Sequence, residues 1–275
     1  MRKFIAVTLA AIVAVACSNR ERVVDMPTSV RVEDRIDHSE RSASIQRAKW
    51  EKALIVGAAD MGGAYGGAKA GAWIGGVFGP KGAVLGGVVG CIIGGCGASL
   101  EASGIVVPRG STRNLNLAAE YFRGFPSSSD SIGWIHNDFV RRTYHDHYVQ
   151  ATFPSKSELY DALSALMVSR GYDEREILEV FPLQMFIDVV TPFKSVESMD
   201  DILVLMRDDN LLVDSFWRKL LNELRATSEV QEALEILARY RLSIDTLSID
   251  QTSKTSLRDA ITVGCYSLSL WNANN

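Results

Sequence analysis

The 275-residue chain carries no excess of basic charge. Lys and Arg total 29 against 33 Asp and Glu, giving a formal charge of −4 and an isoelectric point near 5.7. That balance excludes a general electrostatic partnership with nucleic acid, which needs cations gathered on one face. Cysteine is scarce, with four residues and no CxxC spacing, so a zinc cluster has no ligand pattern to start from. No strand followed by GxGxxG is present, nor GxxxxGK followed by Ser or Thr, which removes the phosphate-cradling loops. HExxH, the serine nucleophile elbow and the kinase motif set are missing as well. The expectation is a non-enzymatic protein with no catalytic residue, no metal and no cofactor.

What is present is unevenly placed. Hydrophobic residues make up 47% and charged residues 23%, enough to close one sizeable core or two modest ones. Of 22 glycines, 16 lie between Gly57 and Gly97. The N-terminus opens with Arg2 and Lys3, continues as an apolar run from Phe4 to Val15, and reaches Ala16 and Cys17 just before a strongly polar stretch. This is the build of an export signal, too short to span a bilayer, which takes about 20 apolar residues. The sequence Ala14-Val15-Ala16-Cys17 resembles the lipobox of bacterial lipoproteins. That resemblance implies removal of residues 1–16, acylation of Cys17 and, with Ser18 following, anchorage in the outer membrane. Position −3 holds Ala14 where that family prefers Leu or a β-branched residue, so plain cleavage after Ala16 is the alternative, and export follows from either. From Ser18 to Lys52 the chain has 15 charged residues of mixed sign, and residues 17–42 read as a solvated tether.

Residues 43–103 form the second segment. Gly63, Gly67, Gly71, Gly75 and Gly79 recur every four residues, and Gly82, Gly86, Gly90 and Gly94 repeat the spacing after a break at Pro80. Positions i and i+4 share a helix face, so each ladder is a groove without side chains against which another backbone can close. The opposite face of the second helix carries Val84, Leu85, Val88, Val89, Ile92 and Ile93. Gly82 to Leu100 is uncharged and would be about 28 Å long as a helix, close to the hydrocarbon thickness. Asp60 and Lys69 interrupt the first helix, and each would cost a few kcal/mol at a bilayer centre, about 3 on insertion scales. The stretch from about 56 to 100 resembles the glycine-zipper two-helix domain of outer-membrane lipoproteins and surface antigens. The resemblance implies membrane lipid as a partner and self-association through the ladders. A hairpin buried under the rest of a soluble fold is the alternative. At ladder positions Leu is expected to disrupt packing, with Ala better tolerated.

Residues 104–275 have ordinary helical chemistry. Ser155 with Glu158 has capping-box spacing, Asp173 with Glu176 opens a further helix, and Gly171, Pro182 and Pro192 punctuate the pattern. About seven helices are expected, with β-branched ambiguity from Ile244 to Ile249. One constellation has chemical potential, Gly133-x-x-His136-Asn137-Asp138 with His145 and His147 beyond it. On a helix His145 and His147 diverge by about 200° and cannot share a metal. His136 and Asn137 are the possible polar site, with capping or bonding to a neighbouring helix as the plainer role.

The expectation is thus an all-α protein with a glycine-rich hairpin followed by a helical domain. Its anticipated role is that of an exported, lipid-anchored envelope protein whose hairpin inserts into or packs on membrane, while the helical domain meets an unidentified protein partner. The alternative is an exported antagonist or pore-forming protein that uses the hairpin against target membranes.

Overall fold

The computed structural model describes residues 32–103, 127–148 and 155–272. The export signal and Cys17 lie outside the described residues. Among the described residues there is no strand, and ten α-helices follow one another: α1 (Val32–Gly75), α2 (Pro80–Ser103), α3 (Ser127–Tyr148), α4 (Lys156–Ser169), α5 (Glu174–Val180), α6 (Leu183–Val190), α7 (Met199–Leu205), α8 (Leu211–Arg225), α9 (Val230–Ser243) and α10 (Gln251–Asn272). Short 3-10 turns occupy Gly76–Phe78, Thr191–Ser195 and Ile244–Thr246, so the β-branched stretch after Ile244 is a turn and not a strand. Residues 1–44 and 45–275 are the two compact units. Residues 32–42, read from sequence as tether, are helical. Glu and Arg are good helix formers, and no Gly or Pro interrupts the segment.

Local rules place most boundaries. Ser155 accepts from the Glu158 amide while the Glu158 carboxylate accepts from the Ser155 amide, closing a capping box at the start of α4. Asp173 caps α5, Asn210 caps α8, and Ser198 with Asp201 forms a second capping box at α7. Gly171, with φ of +92°, lets the chain leave α4 in a conformation that a side chain disfavours. Pro182 separates α5 from α6, because continuing the helix through it would lose a hydrogen bond and clash.

The centre of the 45–275 unit is the hairpin itself. Helix α2 touches α3, α4, α5, α6, α10 and the Thr191–Ser195 turn, while α10 also lies on α3 and α9. The hairpin is therefore part of the core rather than a domain joined to a helical domain. Val89, Ile92 and Ile93 of α2 are fully buried, together with Phe186, Val190, Leu257 and Leu268 from the helices around it. Burial of such side chains contributes about 1.5–3 kcal/mol each relative to exposure.

Candidate functional site

Three features compete for the functional role: the glycine seam, a polar cluster at the hairpin base, and the exposed hairpin tip. The seam is antiparallel and in strict register. Gly63 faces Gly94, Gly67 faces Gly90, Gly71 faces Gly86 and Gly75 faces Gly82. At each pair a methyl group on either residue would overlap the carbonyl oxygen of the other, so the two backbones touch with no space for any side chain. Even alanine does not fit, so the expected advantage of Ala over Leu at these positions is one of degree: both overlap the facing backbone. Gly79 is the exception in the ladder. It sits beyond the seam with φ of +90° and open space around it, so its role is conformational: it turns the chain into Pro80, the first residue of α2. Because the ladders are occupied by each other, self-association through them has no free ladder face in this fold.

Glycines off the ladder receive side chains from the surrounding helices. Gly57 leaves room for Leu268, Gly62 for the ring of Phe193, and Gly97 for Phe186 and Val190. Sequence reasoning missed this second use, for which the surplus of glycines beyond the four-residue spacing was the available signal.

The polar cluster joins α1, α2, α3 and α10. Asp60, Ser99, His136, Asn137 and Ser267 are all fully buried. Ser267 Oγ donates to Asp60 Oδ2, and His136 Nε2 stands 3.7 Å from that same oxygen, beyond hydrogen-bond reach. Asn137 Nδ2 donates to the Tyr266 carbonyl at 2.7 Å, which turns Asn137 Oδ1 toward the ring of His136, 3.1 Å from Nδ1. The proton therefore sits on Nδ1, and Nε2 faces Asp60 as a bare acceptor. Burial pushes the Asp60 carboxyl up to about 8, against the partial opposition of Ser267, Ser99 and Trp271, although neither Ser99 nor Trp271 completes a well-formed hydrogen bond to it. Burial likewise lowers His136 to about 4, opposed by Asn137 and the Gly95 backbone. At neutral pH both groups are uncharged, as a sealed interior requires.

The Ser, His and Asp of this cluster do not form a nucleophilic relay. A relay places His between Ser and Asp so that the imidazole takes the hydroxyl proton; here Asp60 lies between Ser267 and His136. The arrangement does explain the Gly133-x-x-His136-Asn137 spacing. Gly133 lies against the Tyr266 ring, so a Cβ there would overlap it, and Asn137, one turn on, bonds the Tyr266 carbonyl. These residues dock α3 on α10. His145 and His147 belong to α3, and no group of three His, Cys, Asp or Glu suited to a metal occurs among the described residues. Cys91, Cys96 and Cys265 are free and buried, and burial raises each thiol well above its ordinary range.

Asp60 and Lys69, which interrupt the apolar pattern of α1, are both used within the fold. Lys69 pairs with Asp208 at 2.8 Å, and the Tyr65 hydroxyl donates to the same carboxylate at 2.6 Å. These contacts hold the Asp208 carboxylate below its ordinary range even though partial burial works the other way. The tip is different. Trp73 is 76% exposed, Val77 81%, Phe78 56% and Val84 70%.

Comparison with protein-family models, with curated proteins and with solved structures finds no match to this chain.

Proposed function

We propose that the protein is an exported, lipid-anchored envelope protein without catalytic activity, whose hairpin packs on membrane instead of crossing it. One observation carries the choice between packing and crossing. Pro80–Ala102 is the one described helix long and apolar enough to cross a bilayer, and 67% of its most apolar window is buried by the chain itself. A core helix of a helical protein has that composition for its own reasons, and removing it from its surroundings would expose Ile92, Ile93 and Val89 along with the partners that cover them. Anchorage then falls to Cys17, supported by the lipobox-like sequence before it. The helices after the hairpin offer the surface for a protein partner.

Palmitate labelling of the wild type and of Cys17→Ser tests the anchor: incorporation in the first and none in the second is expected, and equal incorporation in both, or none in either, overturns it. A second reading, the exported antagonist or pore former, is favoured by the jacket of helices around an apolar hairpin, which could restrain it until a target membrane is met. Dye release from liposomes separates the two. The envelope reading expects none.

A further inference from the structure

We infer that the hairpin tip is a docking surface for an anionic lipid bilayer, engaged through Trp73, Val77, Phe78 and Val84 with Lys81 beside them. The inference rests on the envelope reading for its membrane and adds to it the surface, the residues and the lipid charge. Four large apolar side chains, each more than half exposed, come from both sides of one turn. A shallow apolar cleft between Pro80, Lys81, Val84, Leu85, Val88 and Tyr172 opens beside them. Clustered exposure of this kind marks an interaction surface, whereas scattered exposed residues do not.

The chemistry selects the occupant. Trp and Phe next to a lysine are the side chains that settle at the headgroup boundary, with the rings immersed and the ammonium reaching back to water. From Met61 through Leu100 the chain has no Asp or Glu, and its two cations are Lys69 and Lys81. Lys69 is held by Asp208, so Lys81 is the tip's own charge. A tip whose own segment, Met61 to Leu100, carries no acidic residue and one exposed lysine free of an acidic partner among the described residues is complementary to an anionic leaflet, within a chain whose net charge is negative. Because the helices continue into the seam and the core, the tip is presented on a rigid support and immersion requires no unfolding.

The test uses the full chain with Cys17→Ser and Val77→Cys, labelled with an environment-sensitive dye at the one introduced thiol, since Cys91, Cys96 and Cys265 are buried. Vesicles containing phosphatidylglycerol should shift the dye emission to the blue, and brominated acyl chains should quench it; phosphatidylcholine vesicles should do so only at much higher lipid. Lys81→Gln should raise the lipid needed for half the shift about fivefold, the worth of one surface lysine at an anionic bilayer. Trp73→Ala should raise it at least about tenfold. Both sites are exposed, so unchanged thermal unfolding of these variants shows that folding is intact. No shift with anionic vesicles overturns the inference, as does an equal shift on neutral ones. A shift that grows with protein concentration and without lipid identifies a second copy as the occupant and overturns it too. Palmitate incorporation at Cys17 is read separately, so loss of the anchor reading and loss of tip docking are distinct results.

Discussion

At its base the glycine hairpin is sheathed by α3, α6 and α10, with Val89, Ile92 and Ile93 wholly buried; at its tip Trp73, Val77 and Val84 stand largely in the open. The seam between the two helices nevertheless runs on to the tip, since Gly75 faces Gly82 about as closely as Gly67 faces Gly90. Close backbone contact is therefore set by the four-residue glycine spacing alone. What covers the outer face is decided elsewhere in the chain. Val84 and Ile92 read alike in sequence, one apolar face of one helix, and only the helices arriving from residues 127–272 make one of them core and leave the other as surface.

The sharpest way to break that comparison is to truncate both. Ile93→Ala should cost about 2–5 kcal/mol, because it empties a filled site in the core, whereas Val84→Ala should stay within about 0.5 kcal/mol. Urea denaturation of the two variants measures the difference. Equal costs would mean that the tip is covered in solution.

The seam itself comes next. Gly67→Ala and Gly90→Ala should each cost about 1–3 kcal/mol, toward the upper end because the atom met is a backbone carbonyl that cannot rotate away. Leu at the same positions should cost more. An ordinary helix surface would respond in the opposite sense, since Ala exceeds Gly in helix propensity by about 1 kcal/mol. Thermal unfolding therefore reads the sign directly, and stabilised Ala variants would remove the seam.

The base also contains the titrating cluster that the tip lacks. The pKa of Asp60 rises from 3.8 unfolded to about 8 folded, so the stability carried by its protonated form is complete below 3.8 and is lost as pH climbs toward 8. For His136 the folded value falls from 6.5 to about 4, so its penalty appears as pH drops from 6.5 toward 4. Between about 4 and 6.5 the two slopes cancel. Above 6.5 only that of Asp60 remains, about 1.4 kcal/mol per pH unit, or about 2 kcal/mol by pH 8. Asp60→Asn, which keeps the neutral shape, should abolish this decline. Parallel stability curves for wild type and variant from pH 6.5 to 8 would show that Asp60 is ionised in the folded protein.

How much of this could be read from sequence follows the same division. The all-α class, the turn near Pro80, the capping box at Ser155 and the two glycine ladders rest on spacings within a few residues, and the sequence contains them; which glycine faces which is shown only by the fold. The jacket does not, because Phe186, Phe193 and Leu268 reach Gly97, Gly62 and Gly57 from far along the chain. Asp60 reads in sequence as a charge that a membrane would penalise, yet its hydrogen-bond partner, Ser267, lies 207 residues away, and no local pattern links them. His136 and Asn137 were visible as an unusual polar pair, and their plainer role in helix docking follows only once Tyr266 is in place. Gly79 fits the ladder spacing by coincidence of number and serves the turn.

The smallest expected effect lies within the tip turn and separates two glycines that look equivalent. Gly76 stands in the 3-10 turn with no neighbouring atom where a side chain would point, and its φ is not positive. Alanine there removes conformational freedom from the unfolded chain without straining the folded one, so Gly76→Ala should stabilise by about 0.4–1 kcal/mol. Gly79 has the same open surroundings but a φ of +90° with ψ of −175°, a conformation open to little except glycine. Gly79→Ala should therefore destabilise by about 1 kcal/mol, near the lower limit for such strain because nothing packs on the turn to prevent its relaxing. Space is equal at the two positions, so opposite signs in denaturant midpoints would isolate backbone conformation as the cause. Two gains of similar size would show that the turn does not hold Gly79 in that conformation, and the hairpin would then depend on its seam alone to bring α1 and α2 together.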